Sequence, residues 1–131
     1  MVSEDLPPSD RLRHPREFET VYRQGWKAHS RHFLVQGLAR PEPRLRLGIT
    51  VSRKVGSAPE RNRVKRRVRE FFRRHRPMIR QAAAENGESG QGLDLVIIAK
   101  AEAPALTQAE LEREILAGLE KRREAGPGSK G

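Results

Sequence analysis

Cysteine is absent from this chain of 131 residues, and its aromatic residues are only four Phe, one Tyr and one Trp. Without cysteine the chain has no disulfide bond, no thiolate metal site and no thiol nucleophile. No apolar run approaches the length that crosses a bilayer. Residues 1–10 carry acids and prolines where a secretory signal has a basic start and an apolar stretch. We therefore expect a cytoplasmic protein.

Acidic residues are also scarce, because 17 Asp and Glu face 27 Lys and Arg. The formal net charge is +10 and the pI is near 11.1, which favours a polyanionic partner. The length suits one domain whose core needs no cross-links. We predict a single domain over residues 11–123, between tails at 1–10 and 124–131 that we expect to be disordered because they are polar and rich in Pro or Gly.

The positive charge is densest in residues 61–74, RNRVKRRVREFFRR, where it coincides with a helical pattern. The apolar spacing predicts a buried stripe of Val64, Val68, Phe71, His75, Met78 and Ile79. The opposite face carries Lys65, Arg66, Arg69 and Arg73. Solvated charged faces usually mix signs, but Glu70 is the only acid between positions 61 and 79. Because guanidinium groups bind phosphate bidentately, the pattern favours RNA or DNA binding over a merely solvated face.

Capping signals predict helices on either side of the basic one. Pro15 and Gly25 mark the start and the end of a helix over residues 15–24. The basic helix should begin near Pro59 and run to about residue 84, with Pro77 expected to kink or divide it. A capping box of Thr107 and Glu110 then precedes a last helix, whose buried stripe is Leu111, Ile115 and Leu119.

Strands are predicted over residues 33–39, 44–52 and 93–100. In the second strand, inward Leu45, Leu47, Ile49 and Val51 alternate with outward Arg46, Gly48 and Thr50. Its outward face should be wet and partly basic. The third strand is apolar at nearly every position after Asp94, as in a central strand covered on both faces. With two or three strands before the basic helix, we predict an α+β two-layer sandwich in the order α-β-β-β-α-β-α.

Reacting groups are not assembled in the sequence, so we predict no catalytic residue and no metal site in the protein. The four histidines lack metal-ligand spacing, and no acidic cluster suggests a two-metal centre. The glycines match no phosphate-binding loop, which argues against a nucleotide cofactor. Phe18 and Tyr22 lie one helical turn apart, and core packing and stacking on a single-stranded nucleic acid are equally good interpretations of the pair.

Two adjoining segments resemble the signature of a known family. LGITVSRKVG at residues 47–56, followed after a short spacer by RNRVKR at 61–66, is similar to the signature of the bacterial ribonuclease P protein component. The resemblance extends to Phe18, Val21, Tyr22 and Gly25, and to the apolar strand that ends near residue 100. It covers about residues 11–120.

The resemblance implies a small subunit that joins a large catalytic RNA and promotes removal of the 5′ leader from precursor tRNA. The catalytic centre of this endoribonuclease would lie in the RNA, with Mg²⁺ held mainly by RNA phosphates and no organic cofactor. It implies no membrane association and no obligate protein partner. It also implies a left-handed crossover through the basic helix, against the usual right-handed rule. A ribosomal or RNA-assembly protein without a role in cleavage is the alternative, and cleavage by the protein alone is the least expected outcome.

The resemblance also assigns two sets of residues. The set that faces the catalytic RNA is Ser52, Arg53, Lys54, Arg61, Asn62, Arg63, Lys65, Arg66 and Arg69. The cleft for the single-stranded leader lies between the first helix and the sheet and is assigned Phe18, Tyr22, Gln36 and Thr50. Gln36 stands where the family often has an aromatic residue on the first long strand.

Overall fold

Helices and strands follow one another in the predicted order. The computed structural model describes residues 10–42, 44–79, 81 and 92–125. Its elements are α1 (Pro15–Gln24), β1 (Trp26–His29), β2 (Phe33–Arg40), β3 (Leu45–Thr50), α2 (Ala58–Arg74), β4 (Gly92–Ala99) and α3 (Gln108–Ala125). Short 3-10 turns lie at Arg53–Val55 and Ala103–Ala105. The α+β class and the order α-β-β-β-α-β-α are confirmed.

The four strands form one sheet in the spatial order β1-β2-β4-β3. Strand β2 pairs antiparallel with both β1 and β4, whereas β3 runs parallel to β4. The connection from β3 through α2 to β4 is therefore a crossover between parallel neighbours. The left hand that the resemblance implies for this crossover stays a prediction.

One face of the sheet packs against α2 and α3. Along β4, Leu95 and Ile97 lie in this core, opposite Leu47 and Ile49 of β3. The two helices contribute the predicted residues Val64, Val68, Phe71, Ile79, Leu111, Ile115 and Leu119, together with Phe72. His75 and Met78, which the helical pattern also assigned to the stripe, are only half-buried.

The other face is partly covered by α1. Leu12, Val21 and Val96 form a second buried cluster, against which Phe18 and Tyr22 pack. Strand β4 is buried at every position except Ile98, so it is a central strand covered on both faces, as predicted. Helices therefore lie on both faces of the sheet, whereas the sequence predicted a two-layer sandwich. The second apolar cluster accounts for the difference, because its burial requires a helix on that face.

The basic helix is shorter than predicted. Helix α2 ends at Arg74, His75 forms a turn, and residues 76–79 are helical again. Pro77 accounts for the break, because it has no N–H to bond to the carbonyl of Arg73. The remainder of the predicted helix, to residue 84, lies outside the described residues apart from residue 81.

The other boundaries follow local sequence signals closely. Helix α1 spans Pro15–Gln24, as predicted. The predicted strands shift by one or two residues, to Phe33–Arg40, Leu45–Thr50 and Gly92–Ala99. The capping box of α3 is confirmed, because the Thr107 N–H donates to Glu110 Oε1 at 2.9 Å and the Glu110 N–H donates to Thr107 Oγ1 at 3.1 Å.

The described part of the chain extends slightly into both predicted tails. Asp10 pairs with Arg76 at 2.6 Å, and α3 continues to Ala125. Residues 1–9 and 126–131 lie outside the described residues. Within the described ranges, no helix combines the length and the apolar character needed to cross a membrane.

Candidate nucleic-acid interface

The outer surface of α2 gathers most of the residues that the resemblance assigned to RNA. Asn62, Arg63 and Arg66 are exposed, and Arg61, Lys65 and Arg69 are half-buried. Ser52, Arg53 and Lys54 are exposed in the segment that leads from β3 to α2. This placement follows from the helical period, because the buried Val64, Val68, Phe71 and Phe72 take the opposite side.

Local bonds fix the start of α2. The Ser57 N–H donates to Glu60 Oε1 at 2.9 Å, and the Glu60 N–H donates to Ser57 Oγ at 3.3 Å, which completes a capping box. The Ser57 N–H is the main cause of the lowered pKa of Glu60. A side chain at Gly56 would meet Glu60 Oε1 at 2.4 Å, so glycine leaves room for this cap. Arg61 Nη1 donates to the Gly56 carbonyl at 2.8 Å and ties the turn to the helix.

The cations in and just before α2 include paired and unpaired side chains. Near its C-terminus, Arg73 pairs with Glu70 at 2.6 Å and Arg74 pairs with Glu112 of α3 at 3.3 Å. Five other side chains form no hydrogen bond or ion pair with any described residue: Arg53 and Lys54 in the turn before the helix, and Lys65, Arg66 and Arg69 within it. Arg73 therefore does not belong to the freely exposed basic face that the helical pattern predicted. These five side chains keep their guanidinium and ammonium groups available for an anionic partner.

A groove runs beside α1 on the second face of the sheet. Tyr22 Oη and Thr50 Oγ1 lie 3.3 Å apart, at hydrogen-bond distance. The rings of Phe18 and Tyr22 have centroids 6.4 Å apart and planes tilted by 51°. Both rings and Thr50 are half-buried. The structure thus brings together three of the four residues that the resemblance assigned to a leader cleft.

The floor of this groove follows from the strand register. Thr50 of β3 lies opposite Ile98 of β4, Ile98 lies opposite Leu34 of β2, and Leu34 lies opposite His29 of β1. Side chains of directly opposed residues share one face of a sheet. Ile98 and Leu34 remain half-buried, so α1 does not cover this row fully. We call the surface formed by Phe18, Tyr22, Thr50, Ile98 and Leu34 the α1 groove.

Gln36, the fourth residue assigned to the cleft, does not line the open surface. It lies one row closer to the axis of α1, opposite Val96, and is only 1% exposed. Gln36 lies on the same face of β2 as Leu34, but α1 passes over its row and buries it. Its Nε2 atom has no hydrogen-bond partner among the described residues. The position predicted for Gln36 is therefore corrected from the open cleft to the layer beneath α1.

Glycine at position 48 lets α1 approach the sheet. A side chain there would meet the Phe18 ring at 2.6 Å and Leu12 at 3.1 Å. Gly48 lies in the same row as Gln36 and Val96, directly beneath the helix. The glycine within the LGIT segment thus positions the aromatic ring that forms one wall of the α1 groove.

A buried ionic network fixes the other side of α1. Arg46 donates from Nε and Nη2 to the two carboxylate oxygens of Asp94 at 2.9 and 2.8 Å, and from Nη1 to Glu17 Oε2 at 2.9 Å. The hydrogen bonds to Asp94 are the main cause of the raised pKa of Arg46. Burial acts to raise the pKa of Glu17. Hydrogen bonds from the Arg13 and His14 N–H groups and from Arg46 stabilise its carboxylate and outweigh burial, and the pKa of Glu17 is therefore lowered.

This network corrects the prediction that Arg46 contributes to a wet basic surface. The Arg46 side chain is 13% exposed and is held by two carboxylates. The missed signal was Asp94, because an acid within an otherwise apolar central strand requires a buried cation. Among the described residues, no group of three His, Cys, Asp or Glu side chains is arranged to hold a metal ion.

The fold and these two surfaces define a small, strongly basic α+β protein with an unpaired guanidinium surface beside an aromatic groove. Residues 6–123 match the family model for ribonuclease P, and the chain belongs to the ribonuclease P protein component family. The protein component of Desulfosudis oleivorans is 40% identical over 115 residues, which are 88% of this chain and 87% of that protein. That of Desulfovibrio desulfuricans is 41% identical over 128 residues, 95% of this chain and 91% of that protein.

Solved structures support the same assignment. The ribonuclease P protein from Thermotoga maritima superimposes with a TM-score of 0.70 at 30% identity, over 85% of this chain and 96% of that one. The protein from Staphylococcus aureus gives a TM-score of 0.67 at 26% identity, over 86% of this chain and 94% of that one. The α+β fold is therefore the fold of these proteins, and the chain is a tRNA-processing family member.

Proposed function

We propose that this chain is the protein subunit of ribonuclease P and binds two RNAs at once. The exposed side of α2 from Arg61 to Arg69 and the segment from Ser52 to Lys54 bind the catalytic RNA. The α1 groove binds the single-stranded 5′ leader of precursor tRNA. The observation that carries the proposal is that the unpaired cations adjoin the aromatic groove, because Thr50 of the groove is separated from Ser52 by one residue.

The chemistry of the two surfaces supports this division. Planar guanidinium groups bind the phosphates of a folded RNA. Arg66 is unpaired and exposed, and the half-buried Arg69, one turn further along α2, is also unpaired. Aromatic rings beside cations bind single strands by stacking, without reading base sequence. The α1 groove combines Phe18 and Tyr22 with half-buried apolar side chains, as such a site requires.

In this proposal the RNA subunit contains the catalytic centre, and the protein contributes binding and electrostatics. Mg²⁺ in the assembled enzyme is held mainly by RNA phosphates. The net charge of +10 lowers the repulsion between the two RNAs, so the protein should reduce the Mg²⁺ concentration needed for cleavage.

Two substitutions test the division between the surfaces. Arg66→Ala should weaken binding of the catalytic RNA whether or not a leader is present, and should lower the salt slope of binding by about 0.7–0.9. Phe18→Ala should weaken only the leader-dependent part of substrate binding, by about 1–3 kcal/mol per stacked base, or roughly 5- to 150-fold. Binding is measured by titration of labelled catalytic RNA, and of precursor tRNA with and without a leader.

Arg74→Ala is the matched control for Arg66→Ala. It removes the same side chain from the same helix, but from the end where Arg74 is already paired with Glu112. Catalytic-RNA binding should change little in this variant. Equal losses for Arg66→Ala and Arg74→Ala, or equal losses for Phe18→Ala with and without a leader, would contradict the division.

A further inference from the structure

The row of side chains that forms the floor of the α1 groove continues beyond the residues that define the groove. It continues across all four strands to His29 on β1, the edge strand. Neighbouring strands lie about 4.8 Å apart, so the row from Thr50 to His29 is about 14 Å long. Ile98 and Leu34 form its half-buried middle. The far end of the row reaches well beyond the aromatic pair.

Two cations, Lys27 and Arg31, lie at this far end, with His29 between them in the sequence. Lys27 and His29 lie on the groove face of β1, because Trp26 and Ala28 take the core face. Arg31 follows in the turn between β1 and β2. All three are exposed, and none of their side chains forms a hydrogen bond or an ion pair with a described residue. We call Lys27, His29 and Arg31 the β1 cluster.

The turn that carries Arg31 is tied down on both sides. Ser30 Oγ donates to Glu114 Oε2 at 2.5 Å, and the His32 N–H donates to the same oxygen at 2.6 Å. Lys100 Nζ donates to the Ser30 carbonyl at 2.6 Å and adds a further cation beside the turn. These hydrogen bonds hold the turn, and with it Arg31, in place beside β1.

One acid of α1 also lies on the groove side of the helix by its position in the helical period. Glu19 is exposed and pairs with Arg23 at 3.4 Å, which offsets its charge. The groove therefore has apolar and aromatic side chains with cations at both ends. These are Arg53 and Lys54 after β3, and Lys27 and Arg31 at the opposite edge. Single-stranded nucleic acid is the ligand that this combination fits.

We infer that the β1 cluster holds phosphates of leader nucleotides that lie beyond the aromatic pair. The inference rests on the proposed function and extends its groove. The end near Thr50 adjoins the surface proposed for the catalytic RNA, so it is the end nearer the cleavage site. The end at β1 is the distal one, and only a long leader reaches it.

The test uses the double variant Lys27→Ala/Arg31→Ala in the enzyme reconstituted with catalytic RNA. Affinity for precursor tRNA is measured over a salt series, with unstructured leaders from about 2 to about 12 nucleotides, a range that spans single-strand site sizes. With the longest leader, the variant should lower the salt slope by about 1.4, because two single-strand phosphate contacts are lost. With the shortest leader, the slope should stay at the wild-type value.

Arg113→Ala/Lys121→Ala is the matched control, because it removes one Arg and one Lys that are exposed on α3, on the opposite face of the sheet. Its slope should not depend on leader length. Phe18→Ala distinguishes the inference from the proposal beneath it. If Phe18→Ala reduces leader-dependent binding and the β1 variant does not, the inference is wrong and the proposed function stands. If neither variant changes leader-dependent binding, the leader site itself is wrong.

Discussion

Gly48 is the residue on which the shape of the α1 groove most directly depends. The ring of Phe18 occupies the space that a side chain at position 48 would take. The LGIT segment therefore has a packing reason for its glycine that involves no unusual backbone conformation. Substitution at this position affects the groove through the position of the ring.

We predict that Gly48→Ala displaces Phe18 and lowers the free energy of unfolding by about 1–3 kcal/mol, the usual cost of overpacking. Leader-dependent binding should fall with it, whereas binding of the catalytic RNA should not. Urea unfolding and the leader-length titration measure the two effects. Wild-type leader dependence in a folded Gly48→Ala protein would contradict this account of the groove.

Gly118→Ala is the matched control for that substitution. A side chain at Gly118 in α3 would touch Val35 Cγ2 at 3.5 Å, an ordinary packing distance. Removing glycine from a helix interior should then raise the free energy of unfolding by about 0.5–1 kcal/mol. Leader binding should be unchanged, because α3 lies on the other face of the sheet.

At the scale of the elements, α1 is held to the sheet from both sides. Tyr22 contacts Thr50 on the groove side, and Glu17 contacts Arg46 on the other. Asp94 supports this second contact, with its side chain only 3% exposed. The position of the groove wall therefore depends on an ion network on the opposite side of α1 from Tyr22 and Thr50.

We predict that Asp94→Ala lowers the free energy of unfolding by about 3–5 kcal/mol, because it leaves the buried Arg46 without its main partner. Glu42→Ala, which removes the exposed partner of Arg40, should change it by only about 0–1 kcal/mol. Urea unfolding of both variants provides the comparison. A loss for Asp94→Ala no larger than that for Glu42→Ala would mean that the network does not anchor α1.

Elements with strong local signals could be predicted from the sequence. Pro15 and Gly25 bound α1, and Thr107 with Glu110 caps α3, because these signals act over a few neighbouring residues. Strand β1 is only four residues long, which is too short for an alternation pattern to define its limits. The end of α2 at Arg74 required a choice between a kink and a break at Pro77, which local pattern alone does not make.

The positions of the site residues could be predicted from the sequence where they follow from the helical or strand repeat. Helical spacing indicates which residues of α2 are exposed, and the resemblance groups Phe18, Tyr22 and Thr50, which the structure brings together. Gln36 and Arg46 could not be located in this way. Their burial depends on where α1 crosses the sheet, which is set by contacts between residues far apart in the sequence.

At the scale of the whole molecule, carboxyl groups with lowered pKa values limit stability in acid. Burial acts to raise the pKa of Glu114, but hydrogen bonds from Ser30 and His32 outweigh it, and the pKa is lowered from 4.5. The pKa of Glu17 is lowered as well. A carboxyl whose pKa is lower in the folded state stabilises the fold when the pH is above the pKa it has in the unfolded chain. This contribution is lost as the pH falls through the pKa of the folded state.

We predict that the free energy of unfolding is nearly constant from pH 7 to about pH 5 and falls below about pH 4.5. Glu114→Gln should be less stable at pH 7 and should lose less stability on acidification, because it no longer takes up a proton. Urea unfolding at a series of pH values measures both curves. Parallel curves for wild type and Glu114→Gln would contradict the lowered pKa.

The central claim is that the whole protein acts only together with a catalytic RNA. The most direct test is cleavage of 5′-labelled precursor tRNA at low Mg²⁺ by the catalytic RNA alone, by the RNA-free protein alone, and by both together. We predict efficient release of the leader only when both are present. Cleavage by the protein alone, or no gain when the protein is added to the RNA, would contradict the account.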